Sequence, residues 1–172
     1  MNVKEAFRHI NTFVFDVDGV LTDGSLLVTN QGEEYRVMHT KDGYALQHAV
    51  KCGYTIIVIS GGKSEGVLLR LKRLGITEVH LGIHDKKALL ASLITRFGLQ
   101  PNEMIYMGDD LPDLPAMPLA QIIACPSDAV PEVKAIAHYH SPYAGGSGCV
   151  RDLIEQVLRL QGKWHLSNTT SA

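Results

Sequence analysis

The 172-residue sequence predicts an α/β fold with a doubly wound parallel sheet, and three observations lead to this prediction. Short runs of β-branched and other apolar residues alternate with segments whose apolar residues recur at helical spacing. Strand and helix follow each other in strict succession, which favours a parallel sheet with helices on both faces. The strand runs are continuously apolar, as expected for strands that are buried on both sides.

The elements can be placed in order along the chain. Strands are predicted at residues 12–15, 55–59, 78–81, 104–107 and 121–124. Helices are predicted at 43–52, 64–74, 86–97, 131–137 and 150–160, with a proline-punctuated helical stretch at 111–119. Two β-like arms around Asn30-Gln31-Gly32 predict a β-hairpin at 25–38, inserted after the first strand. We therefore expect one domain over residues 1–162, with the hairpin insertion at 24–38, and a flexible C-terminal tail over 163–172.

Composition narrows the class of protein. The chain is 45% hydrophobic and 20% charged, with a formal net charge of -2, which is typical of a globular protein without a nucleic-acid-binding surface. No apolar run is long enough to span a membrane, and the N-terminus lacks the apolar core of a signal peptide. Cys52, Cys125 and Cys149 are widely separated, which fits a reducing compartment. We expect a cytoplasmic protein that binds neither nucleic acid nor membrane.

Polar side chains follow the predicted strands. Asp16 and Asp18 come directly after the first strand, and an extended backbone directs two residues spaced in this way to the same region. A carboxylate at the end of a buried strand is costly unless a cation or hydrogen-bond donors compensate it. The carboxyl ends of parallel strands meet at one edge of the sheet, where ligands bind. The residues that should converge there are Asp16, Asp18, Ser60, Gly61, Lys86, Asp109, Asp110 and Asp113.

This set of residues indicates a chemistry. Clustered carboxylates repel one another and require a cation. Because the ligands are hard oxygens without clustered histidine or cysteine, the expected cation is Mg²⁺. The Ser60 hydroxyl, the amides near Gly61 and the Lys86 ammonium are groups that bind phosphate. An acidic metal cluster that faces a small cationic cradle is typical of phosphoryl transfer.

The order of these motifs resembles a known family. DVDGVLTDG at 16–24, Ser60-Gly61, Lys86 and GDDLPD at 108–113 resemble the four motifs of the haloacid dehalogenase (HAD) phosphatases. HTKDGYAL at 39–46 and GGSGCVRDL at 145–153 are similar to one branch without a cap domain, the 3-deoxy-D-manno-octulosonate 8-phosphate phosphatases of lipopolysaccharide synthesis. The resemblance implies a Rossmann-like HAD fold without a cap domain and Mg²⁺-dependent hydrolysis of a sugar acid phosphate.

The same resemblance implies roles for individual residues. Asp16 would be the nucleophile, and Asp18 would transfer the proton while its backbone carbonyl binds Mg²⁺. Asp109 would be the second side-chain ligand, and Asp110 and Asp113 would bind the metal through water or orient Lys86. Ser60 and Lys86 would hold the transferring phosphoryl oxygens. The implied substrate contacts are His39, Thr40, Lys41, Asp42, Gly43, Gly61, Arg70 and Lys86.

Two positions depart from the family pattern. Gln47 and Gly62 stand where well-known members carry arginine, so two guanidinium groups are lost. Lys63, Arg36 or Arg151 from a neighbouring subunit would be candidates to replace them. A related nonulosonate 9-phosphate therefore stays open as an alternative substrate.

The sequence also allows other interpretations of the site and of the whole chain. If the chain had no phosphate or metal site, Ser60 and Asp113 would only cap a helix or a turn. Lys86 would then be an exposed residue of a helix. His138 and His140 are predicted to be solvated residues of a short edge strand rather than metal ligands. A phosphoryl transferase is disfavoured because the chain has no room for a cap domain, and a non-catalytic regulatory domain because every catalytic group is present.

Assembly is also predicted. The 25–38 hairpin carries apolar residues on an element too small to bury them. The resemblance implies that such hairpins form a homotetramer, in which a neighbouring subunit covers the active site. It also assigns the glycine-rich segment 144–148 to a mobile C-terminal tail.

Overall fold

The computed structural model describes residues 2–164 and is built around a six-stranded, wholly parallel sheet. Its strands are β1 (Thr12–Phe15), β4 (Thr55–Ile59), β5 (Glu78–His80), β6 (Met104–Met107), β7 (Ile122–Cys125) and β8 (Tyr139–His140). A separate antiparallel hairpin consists of β2 (Leu27–Val28) and β3 (Glu34–Tyr35). The helices are α1 (Val3–Phe7), α2 (Thr40–Lys51), α3 (Glu65–Arg73), α4 (Lys86–Phe97), α5 (Pro131–Ile136) and α6 (Cys149–Leu160).

The strand order determines where a ligand can bind. The order is β5-β4-β1-β6-β7-β8, so the chain builds outward from β1 on one side and then returns to build outward on the other. The strand order therefore reverses between β1 and β6. In open α/β sheets the ligand crevice lies at such a switch point, outside the carboxyl ends of the strands.

Both faces of the sheet are covered, as the apolar runs predict. Phe13 and Phe15 of β1 pack into the core on the side of α2, α3 and α6, whereas Val14 packs into the core on the side of α4 and α5. This alternation follows from the two-residue period of a strand. Asp16 continues the direction of Val14, toward the side on which Lys86 begins α4.

The predicted fold class is confirmed, with differences in detail. Residues 111–119 do not form the predicted helical stretch but two short 3₁₀ turns, Leu111–Asp113 and Met117–Leu119. Pro112, Pro115 and Pro118 explain this, because each lacks a backbone donor and disfavours a helical residue before it. Helix α2 begins at Thr40, three residues before its predicted start, and α1 was not predicted.

The hairpin and the chain end complete the fold. The hairpin lies where it was predicted, and its apolar side chains are exposed. Segment 144–148 lies between β8 and α6, and Gly146 N donates a hydrogen bond to Val20 O at 2.9 Å. The tail predicted over 163–172 lies outside the described residues, except for Lys163 and Trp164. The indole of Trp164 packs edge-on against His48. Within 2–164, none of the helices has the length and apolar character needed to cross a bilayer.

Candidate active site

The carboxyl ends of β1, β4 and β6 open into a crevice of about 330 Å³. The crevice collects the residues that follow the predicted strands, from segments that are far apart in the sequence. Its polar lining includes Asp16, Asp18, Ser60, Lys86, Asp109 and Asp110, together with the backbone of Gly61 and Gly62. Asp113 lies beneath this surface with no exposed area. The prediction that the strand ends converge is therefore confirmed.

A tight turn after β1 places both leading aspartates. Asp16 Oδ1 accepts a hydrogen bond from Val17 N at 2.7 Å, and the chain then turns over Val17–Leu21, where Thr22 N donates to Val17 O at 3.0 Å. Gly19 has a φ of 87° in this turn, and a Cβ there would lie 1.9 Å from Asp109 Oδ2. Glycine is thus required both by the backbone conformation and by the approach of Asp109. Thr22 Oγ1 braces the turn by accepting from Gly19 N at 3.3 Å.

Lys86 joins two carboxylates in the interior. Its Nζ lies 3.0 Å from Asp16 Oδ1 and 2.8 Å from Asp113 Oδ1. Asp113 also accepts hydrogen bonds from the Tyr106 hydroxyl at 2.8 Å and from Asp109 N at 3.2 Å. Lys86 is therefore not an exposed helical residue, and Asp113 is not simply a cap, because both belong to one buried network. A charged pair at this depth needs such surrounding donors to offset its desolvation.

The electrostatics of the crevice favour a bound cation. Burial, followed by the nearby Asp113 carboxylate, raises the pKa of Asp16 from 3.8 to about 8. Burial and the neighbours Asp113 and Asp110 raise the pKa of Asp109 to about 7. Burial alone would lower the pKa of Lys86, but Asp113 and Asp16 outweigh it and the pKa is raised. The crevice thus holds more negative charge than its one ammonium group neutralises.

The donor set fits a hard divalent cation. One oxygen each from Asp16, Asp109 and Asp113 lies within 4.8 Å of the others. Oδ1 of Asp109 is buried without a hydrogen-bond partner among residues 2–164. A buried acceptor without a partner is destabilising, and a cation would satisfy it. Carboxylate oxygens in this number suit Mg²⁺, which keeps several waters and takes only a few protein ligands.

Metal binding should depend on pH in a defined direction. Because folding raises the pKa of Asp16 and Asp109, the metal-free protein binds more protons folded than unfolded. Its stability should therefore fall as pH rises from about 4 to 8. Mg²⁺ replaces those protons, so the increase in Tm on adding Mg²⁺ should be larger at pH 8 than at pH 6, roughly 5–10 °C near saturation. Calorimetry with EDTA and with Mg²⁺ measures this, and an increase that shrinks with pH would contradict it.

The opposite wall of the crevice presents uncharged donors. Ser60 is buried at the end of β4, and Gly62 N donates to its Oγ at 3.2 Å. The helix-cap role considered for Ser60 belongs instead to Ser64, whose Oγ accepts from Val67 N at 3.3 Å. Ser60 is thereby left to face the crevice beside the glycine backbone and the Lys86 ammonium.

Asp18 has a partner from the hairpin. Arg36 Nε lies 2.6 Å from Asp18 Oδ1, and Arg36 Nη2 lies 3.1 Å from Asp18 Oδ2. Arg36 is the residue directly after β3, and it reaches the crevice of its own chain. The sequence suggested Arg36 only as a contribution from a neighbouring subunit.

Of the substrate contacts implied by resemblance, Gly61 and Lys86 line this crevice and the other six do not. His39 and Lys41 line a second cavity, of about 340 Å³, beside the start of α6. Asp42 is buried, and its Oδ1 accepts from Arg151 N at 2.8 Å, so within this chain it caps α6. Arg70 lines a groove between the hairpin and α3, next to Gly43, and Thr40 is exposed at the start of α2. None of these six residues, Gly43 included, forms part of the crevice wall.

Two further residues of the site, Tyr106 and Thr22, were not assigned a role from the sequence. Tyr106 is the one residue of β6 with a hydrogen-bonding side chain. Its hydroxyl in an otherwise apolar strand is the sequence feature that could have indicated a role in the site. Thr22 follows the apolar end of the Val17–Leu21 turn, and Gly24 N donates to its Oγ1 at 3.2 Å. His138 lies beside the edge strand β8 and His140 within it, as predicted, and His138 Nδ1 accepts a hydrogen bond from Ile123 N at 3.0 Å.

Comparison with known proteins supports this geometry. No protein-family model matches the chain. The 3-deoxy-D-manno-octulosonate 8-phosphate phosphatase KdsC of Escherichia coli BL21-DE3 is 34% identical over 162 residues, which cover 94% of this chain and 86% of that protein. The crystal structure of the phosphatase of the same name from Yersinia pestis superimposes with a TM-score of 0.90 at 32% identity, over 94% of this chain and 87% of that one.

A third relative was solved with ligands. The Moraxella catarrhalis 3-deoxy-D-manno-octulosonate 8-phosphate phosphatase, in complex with magnesium, phosphate and the sugar acid KDO, superimposes with a TM-score of 0.89 at 32% identity. The match covers 93% of this chain and 92% of that one. With such similarity over nearly its whole length, and with the aspartate, serine and lysine groups in one crevice, this chain belongs to the 3-deoxy-D-manno-octulosonate 8-phosphate phosphatase family of the HAD superfamily.

Proposed function

We propose that this protein is a Mg²⁺-dependent phosphatase that converts 3-deoxy-D-manno-octulosonate 8-phosphate to 3-deoxy-D-manno-octulosonate and phosphate. The observation that carries the proposal is the cluster of Asp16, Asp109 and Asp113 around Lys86, opposite Ser60, at the switch point of the sheet. The relatives support the substrate, because they carry this activity in their names and one was solved with the sugar acid and phosphate.

The first half of the reaction transfers the phosphoryl group to the enzyme. An Asp16 oxygen attacks phosphorus, and the bond from phosphorus to the sugar oxygen breaks. Asp18 gives its proton to the departing sugar oxygen. Ser60, Gly61 and Lys86 hold the other phosphoryl oxygens, and Lys86 offsets the charge that builds up on them.

The second half releases phosphate. Asp18, now ionised, removes a proton from water, which attacks phosphorus and breaks the bond to Asp16. Asp16 returns as a carboxylate, and Asp18 is protonated again. Within this scheme Asp113 positions Lys86, because its Oδ1 lies 2.8 Å from Lys86 Nζ.

The residues that would hold Mg²⁺ are Asp16 and Asp109 through their side chains and Asp18 through its backbone carbonyl, with Asp110 and Asp113 behind them. When bound, the ion would neutralise the carboxylates and the phosphate so that the anionic nucleophile and substrate can approach each other. The side chain of Asp18 is then left for proton transfer.

The place of this reaction in the cell is inferred from the family resemblance. The product is the unphosphorylated sugar acid, which we assign to lipopolysaccharide inner-core synthesis. We place the protein in the cytoplasm, and its cysteines agree with a reducing compartment because Cys52, Cys125 and Cys149 are all unpaired.

We further propose that the hairpin mediates a homotetramer whose neighbouring subunits cover the crevices. Among the described residues, the hairpin and its flanks expose Leu27 by 67%, Val28 by 62% and Val37 by 82%. An apolar patch on an isolated two-stranded element is typical of an interface. A cover from another subunit would exclude water from a crevice that is open in the single chain.

Placing charges on the hairpin should separate the subunits. We expect the double variant Leu27→Asp, Val37→Asp to elute as a monomer and to lose at least about tenfold in kcat/KM, because its crevice stays open. Gel filtration with light scattering measures the mass. Gln31→Asp is the matched control, since it adds charge at the exposed hairpin turn without removing apolar area. A wild-type monomer at micromolar concentration would refute the assembly.

A panel of phosphate monoesters tests the proposed function. Phosphate release should be fastest with 3-deoxy-D-manno-octulosonate 8-phosphate and should require Mg²⁺. A nonulosonate 9-phosphate belongs in the panel because Gln47 and Gly62 depart from the family pattern. A higher kcat/KM for that substrate would make the nonulosonate 9-phosphate the preferred substrate and leave the phosphatase reaction unchanged. The proposal would be refuted if no monoester released phosphate in a Mg²⁺-dependent way.

A further inference from the structure

The contact between Arg36 and Asp18 has a consequence for substrate choice. The guanidinium of Arg36 binds both oxygens of Asp18, at 2.6 and 3.1 Å. Paired planar forks of this kind are among the stronger and more directional contacts in proteins. Each oxygen of the proposed proton donor therefore accepts from Arg36, which fixes the orientation of the carboxylate relative to the leaving oxygen of a substrate.

Arg36 is held in this place by its surroundings. Its side chain is only 4% exposed although it comes from a surface hairpin. The neighbouring Glu34 lies 3.7 Å from Nη2. The third nitrogen, Nη1, is buried and has no hydrogen-bond partner in the part of the chain described. A buried donor without a partner costs free energy, so this arrangement leaves the guanidinium with unmet capacity for an anion.

Gly62 provides the space that Arg36 occupies. A Cβ on residue 62 would lie 2.7 Å from Arg36 Nη2 and 3.0 Å from Asp18 Oδ2. Any side chain at this position would push the guanidinium away from Asp18. The φ of Gly62 is not in the left-handed region, so its backbone does not require glycine. The absence of a side chain is instead needed for the contact between the hairpin and Asp18.

Arg36 also stands between two open spaces. Asp18 and Gly62 line the catalytic crevice, and Arg36 lines the groove of about 770 Å³ between the hairpin and α3. A substrate with its phosphate on Asp16 would extend past Asp18 toward this groove. A carboxylate carried by that substrate would then meet the Arg36 guanidinium, which is suited to bind it by two parallel hydrogen bonds.

We propose that Arg36 is a specificity-determining residue, which exchanges the Asp18 carboxylate for the carboxylate of the substrate. In the free protein Arg36 keeps Asp18 away from the leaving group. A sugar acid phosphate takes over the guanidinium and so releases Asp18, whereas a sugar phosphate without a carboxylate leaves the pair closed. This inference rests on the proposed phosphatase function and adds the residue that recognises the carboxylate of the substrate.

The test compares two substrates in wild-type protein and in Arg36→Met, which keeps the length of the side chain without its charge. The substrates are 3-deoxy-D-manno-octulosonate 8-phosphate and ribose 5-phosphate, which has a terminal phosphate but no carboxylate. We expect Arg36→Met to lower kcat/KM for the sugar acid phosphate by about 30-fold or more, mostly through KM. The kcat for ribose 5-phosphate should stay the same or rise, because Asp18 is no longer held.

Two further variants separate this role from a structural one. Arg36→Lys keeps the charge and should restore part of the preference for the sugar acid phosphate. Gly62→Ala keeps Arg36 but displaces its guanidinium, so it should change the preference in the same direction as Arg36→Met. Arg73→Met is the matched control, since it makes the same chemical change at an exposed residue of α3 that does not line the groove, and it should leave both rates unchanged.

The outcomes are distinguishable. If Arg36→Met lowers kcat/KM equally for both substrates, Arg36 only supports Asp18 and the inference is overturned. If the wild type hydrolyses the sugar acid phosphate and the variants keep its preference, the inference fails while the proposed function stands. If the wild type releases phosphate from ribose 5-phosphate but not from the sugar acid phosphate, the proposed function fails, and the inference fails with it.

Discussion

Replacing Asp16 by asparagine is expected to abolish phosphate release. The amide keeps the shape of the carboxylate but has no nucleophilic oxygen, and loss of a nucleophile typically costs about 10⁴-fold or more in kcat. The loss should not come from misfolding. Burial raises the pKa of Asp16 to about 8, so an uncharged side chain there should keep or increase the Tm of the metal-free protein at pH 8.

Two comparisons make this result decisive. Asp16→Ala should be equally inactive and cannot regain a carboxylate by deamidation. Asp152→Asn makes the same chemical change outside the crevice, where Asp152 accepts hydrogen bonds from Tyr139 and Ser141, and it should keep turnover within a fewfold of wild type. If Asp16→Ala retains more than a tenth of the wild-type rate, Asp16 is not the nucleophile.

Replacing Lys86 by methionine is expected to damage both stability and turnover. Lys86 Nζ is the cation between Asp16 and Asp113, at 3.0 and 2.8 Å. Without it, the donors left to the Asp113 carboxylate within residues 2–164 are the Tyr106 hydroxyl and Asp109 N, and this carboxylate has no exposed surface. Breaking a buried ion pair on one side typically costs about 3–5 kcal/mol of unfolding free energy.

The loss in stability should be largest without Mg²⁺, because a bound cation would neutralise part of the same charge. Turnover should fall by about 10²–10³-fold even with saturating Mg²⁺, since the charge that builds on the phosphoryl oxygens loses its partner. Lys87→Met is the matched control, because Lys87 is the next residue of α4 and is exposed. Equal effects of the two substitutions on Tm and kcat would contradict the buried network.

The residues at the strand ends were predictable because a parallel sheet obliges them to converge. Asp16, Ser60 and Asp109 each follow a continuously apolar run, and no knowledge of packing was needed to bring them together. The alternation of side chains along β1 also predicts on which face of the sheet Asp16 lies. The sequence therefore predicted the fold class and the centre of the site with the same argument.

The contacts made by inserted or irregular segments were not predictable in this way. Arg36 follows a two-residue strand of a hairpin, and no periodicity indicates that such a segment folds back over Asp18. Asp42 was assigned to the substrate by resemblance, but its carboxylate lies against the start of α6. The 111–119 stretch has helical apolar spacing, yet its prolines divide it into 3₁₀ turns. Each outcome depends on tertiary contacts or backbone donors that apolar spacing does not encode.

Trapping the phosphorylated enzyme during turnover tests the central claim most directly. Wild-type protein would be mixed with Mg²⁺ and 3-deoxy-D-manno-octulosonate 8-phosphate, quenched with borohydride, digested and analysed by peptide mass spectrometry. Borohydride reduces an acyl phosphate to an alcohol, so we expect homoserine at position 16, only when substrate is present. Phosphate release at the full rate without modification at position 16, or with modification at another carboxylate, would contradict the account.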